Sequence, residues 1–157
     1  MPVPFWAGRY IGLPFEDHGR SRSGLDCWGL ARLVLSEQFG IALPSFAAEY
    51  RRTTDTGKIS DLILREIPAW QFVTAGEEAL GDIIILRQRG APMHVGIVLG
   101  DGRMLHIEHG VNSAIEAYSG PCWRDRVFGF YRYRKELCDN PNEGSIAPRT
   151  GPPAKPL

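Results

Sequence analysis

Apolar residues recur along this chain with two different periods. Between Cys27 and Phe39 there is no proline, and Leu30, Ala31, Val34, Leu35 and Phe39 fall at three- and four-residue steps, the spacing of one buried helix face. Asp26 before the run and Gly40 after it are residue types that cap helix ends. The spacing therefore predicts a helix over 27–39. A second, more polar helix is predicted over 60–66, ahead of Pro68, with 51–58 as a surface loop.

Further on the period falls to two. Short runs rich in Ile, Val, Leu and aromatic residues, punctuated by Gly, Pro and Asn, predict strands over 82–87, 93–99, 103–109, 113–118 and 127–133. Gly100-Asp101-Gly102 reads as a hairpin turn. A helical front half followed by a strand meander is an α+β pattern, not a βαβ repeat. Residues 10–25, dense in Gly, charge and small polar side chains, read as an irregular loop. From Asp139 onward, Pro141, Pro148, Pro152, Pro153 and Pro156 stand among few apolar residues. This predicts a disordered tail over 139–157 beside one folded domain over 1–138.

Composition narrows the function classes. The 157 residues, 43% hydrophobic and 23% charged, suit a single globular domain with a real core. Eighteen basic and eighteen acidic side chains cancel, so no overall field draws nucleic acid, and the cluster Arg124, Arg126, Arg132, Arg134 and Lys135 is expected to be a solvated face. No run approaches the roughly 20 apolar residues of a bilayer span. The N-terminus lacks a basic segment followed by an apolar one, so the expectation is synthesis in the cytoplasm without a signal peptide or membrane insertion. Three widely spaced cysteines, Cys27, Cys122 and Cys138, form neither a disulfide framework nor a CxxC knuckle and leave at least one free thiol.

The sharpest local feature is Gly24-Leu25-Asp26-Cys27-Trp28-Gly29-Leu30, which puts a cysteine where a loop becomes a helix. Unpaired N–H groups and the positive end of the helix dipole favour thiolate there, and the same groups can stabilise an oxyanion beside the sulfur. A thiolate nucleophile needs a base that also protonates the leaving amine, and the candidates are His18, His94, His106 and His109. His94 begins an alternating strand on which it shares a face with Gly96 and Val98, and Gly96 is expected to leave open space before the ring. A three-residue turn at 100–102 sets His106 diagonally beside His94, whereas a two-residue turn at Asp101-Gly102 sets His109 opposite it. Sequence alone leaves both open. His94, His106, Glu108 and His109 also have metal-ligand chemistry, but they share no single strand face, and no metal or cofactor is expected because a thiol and an imidazole suffice. His18, in the loop before the cysteine, is placed at the cleft without a catalytic role.

Taken together these residues resemble the NlpC-type peptidases of the papain-like fold, which cleave peptide stems of bacterial peptidoglycan. The resemblance spans roughly residues 8–133 and rests on elements in family order: Gly12-Leu-Pro-Phe15, Asp26-Cys27-x-Gly29-Leu30, Gly81-Asp82, His94-Val-Gly-Ile97 and then His106. It implies an α+β fold in which the helix carrying the nucleophile packs on a C-terminal antiparallel sheet. It implies Cys27 as nucleophile, His94 as base and His106 as orienting third residue, with Phe15, His18, Asp26 and Trp28 around the substrate. The implied reaction is hydrolysis of the D-γ-glutamyl–diamino acid amide. Trp28 stands where free-standing cell-wall hydrolases have serine. With Gly19-Arg-x-Arg22 and Gly129-Phe-Tyr-Arg132 it looks like the variants encoded among phage-tail and gene-transfer-agent genes, which implies tail-tip or hub proteins as partners and a virion setting. A structural tail-tip role with dispensable turnover is the alternative. Phe15 replaces a family tyrosine, whose hydroxyl Tyr10 supplies only if the loop folds back.

Overall fold

In the computed structural model, which describes residues 2–52 and 55–134, the stretch with helical spacing forms α1 (Cys27–Phe39). Asp26 Oδ1 accepts a 2.8 Å hydrogen bond from the Gly29 N–H, pairing a donor that the first helical turn cannot satisfy internally. At the other end Gly40 adopts φ 64, and its N–H closes on the carbonyls of Leu35 and Ser36. Leu30, Ala31, Val34 and Leu35 are buried. The tail expected over 139–157 and Cys138 lie outside the described residues.

The segment expected to be irregular is partly regular. Within it β1 (Arg20–Ser21) and β2 (Gly24–Leu25) form a short antiparallel ribbon, and ahead of it a 3₁₀ helix spans Phe5–Tyr10. The second helix, α2 (Thr56–Glu66), starts earlier than expected because Ile59 is buried and extends the stripe of Leu62 and Ile63 back by a turn.

Six strands make the sheet: β3 (Gln71–Val73), β4 (Ile83–Gln88), β5 (Ala91–Gly100), β6 (Arg103–His106), β7 (Ala114–Ala117) and β8 (Val127–Arg132). Their order is β3-β8-β4-β5-β6-β7, antiparallel throughout. Alternation along the central strands gives two buried faces. Val95, Ile97, Leu99 and Leu105 pack with Leu30, Ala31 and Val34 of α1. Ile84, Leu86, Val98, Met104 and Phe130 are covered on the other face by Tyr118 and Trp123.

The β5–β6 hairpin combines the two alternatives left open by its sequence. Asp101 and Gly102 both have positive φ, 51 and 66, as a two-residue type I′ turn requires, and Gly100 pairs with Arg103. An irregularity between Val98 and Gly100 then shifts the register, so Val98 faces Met104 and Ile97 faces Leu105. The body of the hairpin thus has the register of the longer turn, with His94 and His106 on one face. Strand β6 ends at His106, so His109 lies in the turn that follows and not in the strand expected there.

Candidate active site

Cys27 is the first residue of α1. The helix start lies against the β1–β2 ribbon so closely that a Cβ on Gly29 would sit 2.0 Å from the Gly19 carbonyl oxygen; the glycine is required by that approach. Asp26, 0% exposed, holds the junction together. Beside Gly29, its carboxylate accepts from the His18 N–H at 3.1 Å, from Arg20 Nη1 at 2.8 Å and from the Tyr50 hydroxyl. Arg20 also donates to the Ser45 carbonyl and to the Tyr50 hydroxyl. Burial and the neighbouring carboxylate push the Tyr50 phenol far up, which keeps it a donor. Asp26 is consequently a structural hub and presents no free oxygen to a substrate.

The thiol does not have the lowered pKa expected from its place on the helix. Burial pushes Cys27 up to about 12, and the Asp26 charge adds to the shift. Hydrogen bonding by the Val95 and Trp28 backbone opposes it, followed by the charge of Arg20. Loss of hydration and an adjacent carboxylate outweigh the helix end.

The base candidate is enclosed in an aromatic and polar chain. His94 Nε2 and His106 Nδ1 are 2.8 Å apart, and His106 Nε2 is bonded to Glu116 Oε2. Trp123 stacks on His94 at 5.6 Å and 19° and meets His106 edge-on at 5.1 Å. Gly96 does not leave open space before the ring, as its sequence position suggested; a Cβ there would come within 3.1 Å of Ile84 and 3.2 Å of Met104. Its role is close packing of the sheet beneath the two histidines.

Burial, then the charges of His106 and Arg126, lower His94 from 6.5 to about 3. Between those values the unfolded chain binds a proton that the folded one refuses, so stability falls as pH drops below about 6.5. From pH 7 to pH 5 this linkage is worth on the order of 2 kcal/mol. Urea unfolding at the two pH values is expected to show that loss in the wild type and a visibly smaller one in His94→Gln. Equal acid sensitivity would show that His94 is not held neutral.

Cys27, His94, Phe15, Met93, Glu108 and His109 line one cleft, with no hydrogen bond between Cys27 and His94 among the described residues. Such pairs commonly tighten only on substrate binding. Phe15 is positioned by the Gly12 and Leu13 backbone, which is tied to Ser113, and its ring lies 5.1 Å from that of His109. His18 was expected at the cleft but is turned away from it: with φ 63, its ring binds the carbonyls of Ala47 and Arg51 and pins the loop that carries Tyr50. Trp28 donates to the Pro44 carbonyl and packs on Phe46. Both line an apolar cavity of about 70 Å³ that also reaches Cys27. Tyr131, whose buried hydroxyl has no hydrogen-bond partner among the described residues, lines it as well.

Tyr10 does not supply the hydroxyl missing at Phe15. It is fully buried and bonded to Glu37 and Gln38 on α1; the phenol that reaches the helix start is that of Tyr50. His106, Glu108 and Glu116 have ligand atoms within 4.8 Å of one another, a set different from the four residues weighed on sequence grounds, since Glu116 joins and His94 and His109 do not. Sequence reasoning missed Arg20, Tyr50, Glu116 and Trp123. Of the other cysteines, Cys122 is exposed and free.

Both the sequence and the fold are similar to those of known proteins. The NlpC/P60 family model matches residues 12–132. Murein DD-endopeptidase MepS/Murein LD-carboxypeptidase of Escherichia coli K12 is 25% identical over 115 residues, covering 73% of this chain and 53% of that protein. Gamma-DL-glutamyl hydrolase of Bacillus subtilis 168 is 25% identical over 136 residues, covering 85% of this chain and 29% of that one. This chain thus spans about half the length, or less, of these relatives. Among solved structures, an NlpC/P60 family protein from Bacillus cereus ATCC 10987 superposes with a TM-score of 0.60 at 24% identity, covering 84% of this chain and 41% of that one. The NlpC/p60 domain of peptidoglycan hydrolase SagA superposes with 0.55 at 22% identity, covering 82% and 92%. The match over residues 12–132 takes in both the helix that carries Cys27 and the strands that carry His94 and His106, and the chain belongs to the NlpC/P60 family.

Proposed function

We propose that this chain is a cysteine peptidase that hydrolyses an amide bond in peptidoglycan stem peptides, between D-γ-glutamyl and a diamino acid. The observation that carries the reading is Cys27 at the start of α1 in one cleft with His94, which is itself bonded to His106. In this reaction His94 takes the Cys27 proton as the sulfur attacks the amide carbonyl, and the N–H groups at the helix start stabilise the oxyanion. The proton then passes from His94 to the leaving amine, and the amide C–N bond breaks to leave a thioester on Cys27. Water, deprotonated by the same imidazole, adds to the thioester and releases the acid and the free thiol. The Gamma-DL-glutamyl hydrolase name of one relative supports a γ-glutamyl bond, and the murein DD-endopeptidase name of another supports an amide in peptidoglycan without choosing that bond.

The setting we assign is the tip of a phage-type tail, where the domain opens the wall during penetration, after synthesis in the cytoplasm. It rests on the likeness of Trp28, Gly19-Arg-x-Arg22 and Gly129-Phe-Tyr-Arg132 to tail variants. A second reading is an assembly component of the tail tip that keeps the fold without needing turnover. Phe15 favours it, because it brings an aromatic ring without a hydroxyl into the cleft. Incubation with defined muropeptides and mass spectrometry separates the two. The peptidase reading expects cleavage at the γ-glutamyl bond, insensitive to chelators. Intact muropeptides after long incubation, with the protein present in purified particles, would establish the assembly role instead.

A further inference from the structure

We propose that Glu116 is a positioning residue that sets the proton positions on both histidines, and that Trp123 holds it in place; the inference rests on the peptidase reading for its catalytic meaning. Strand β7 pairs with β6 so that His106 faces Ala114 and Met104 faces Glu116, which sets the Glu116 side chain diagonally next to His106 on the same face. Its Oε2 bonds His106 Nε2 and receives the Trp123 indole N–H at 3.3 Å. The same indole covers His94. One tryptophan therefore fixes the carboxylate and roofs the base.

The consequence follows from donor and acceptor counts. An ionised carboxylate only accepts, so a neutral His106 carries its single N–H at Nε2 and its Nδ1 is an acceptor. The group 2.8 Å from that Nδ1 is His94 Nε2, which must then donate. The His94 proton is thereby placed on Nε2, and Nδ1 is left as the basic atom for Cys27. As the Cys27 proton arrives at Nδ1, positive charge spreads over the two rings and is met by the Glu116 carboxylate, without any proton reaching that carboxylate. The arrangement places the carboxylate one imidazole further from the nucleophile than in a Ser-His-Asp triad.

Glu116→Gln tests this, since an amide can donate as well as accept and no longer imposes one tautomer. The Glu116 side chain is 44% exposed, so the variant is expected to fold. At pH 8.5, nitrogen NMR of ring-labelled wild type is expected to show His94 protonated at Nε2, and the variant a mixed or reversed tautomer. On muropeptides the variant is expected to lose at least about tenfold in kcat, short of the roughly 10,000-fold loss for a wrong tautomer in a triad, with KM little changed. Glu116→Asp is expected to restore part of it, and Trp123→Phe, which keeps the ring and loses the donor, to fall between. An unchanged His94 tautomer in Glu116→Gln would overturn the proposal, and so would activity that depends on added zinc and is lost alike in Glu108→Gln, which would make the trio a cation site. The NMR result holds or fails whether or not the protein cleaves muropeptides, so a failure of the peptidase reading is told apart from a failure of this one.

Discussion

Cys27→Ala is expected to remove muropeptide cleavage altogether while leaving the fold in place, and His94→Ala to lower turnover by about 100- to 10,000-fold, the usual worth of general acid–base work. Alanine is a good residue for a first helical turn, and the Asp26 cap that opens α1 is untouched by the change. The two effects differ in kind. Without the sulfur no thioester forms, whereas without the imidazole the proton of a thiol pushed up to about 12 must leave by way of water. His106→Ala is expected to cost less than His94→Ala, because a water can occupy the space next to His94 Nε2 and accept its proton. His109→Ala belongs to the cleft rim, next to Phe15, and is expected to act on KM before kcat. Steady-state kinetics of the four variants on one muropeptide decide the matter. A crippled His109→Ala beside a fully active His106→Ala would reject the assignment of the third residue, and a fully active His94→Ala would reject the base.

How much of this was legible beforehand depends on whether the cause is local. Helix α1 has its apolar stripe, its cap and its terminating glycine in one run of residues, and its bounds agree with expectation. Strands β4 and β8 announce themselves as short runs of Ile, Leu, Val and aromatic residues, and β5 by its alternation. Strand β3 has three residues and no period of its own; it exists because Phe72 pairs with Tyr131 on β8, a contact between segments some sixty positions apart in the sequence. The hairpin register depended on an irregularity at Leu99, which no turn rule places.

The site divides in the same way. Cys27, His94 and His106 were named as candidates because their order and immediate neighbours form motifs. Glu116 sits in a short strand of ordinary composition, Ala-Ile-Glu-Ala, and its importance appears only when β7 is laid beside β6. Trp123 comes from the segment before β8 and reaches across the far face of the sheet. The helix-start reading of the thiol failed for a related reason: sequence shows the dipole and the adjacent aspartate, but not the packing of the fold around the cysteine, which pushes its thiol up. The motif Gly19-Arg-x-Arg22 gains a physical role that its resemblance alone did not supply, since Arg20 neutralises the buried carboxylate that caps α1.

That pairing gives the largest expected effect on stability. Arg20→Ala is expected to destabilise the fold by about 3–5 kcal/mol, the usual cost of leaving one member of a buried ion pair alone. The side chains of Arg20 and Asp26 are 14% and 1% exposed, so water cannot take over the role of the guanidinium. Against a total stability of about 5–15 kcal/mol, such a loss is expected to lower Tm by roughly 10 °C. Arg20→Lys is expected to recover only part, because an ammonium cannot reach Asp26, the Ser45 carbonyl and the Tyr50 hydroxyl at once. The decisive comparison is made in an Asp26→Asn background. Asparagine still caps α1 but carries no charge, so Arg20→Ala is expected to cost markedly less there than in the wild type. Removing the carboxylate charge also removes one of the two causes that raise the Cys27 pKa. Iodoacetamide labelling of Cys27 is therefore expected to shift to lower pH in Asp26→Asn. If Arg20→Ala cost the same in both backgrounds, the charge pair would not be what holds the start of the helix, and the hydrogen bonds of Arg20 to the 45–50 loop would have to carry the whole effect.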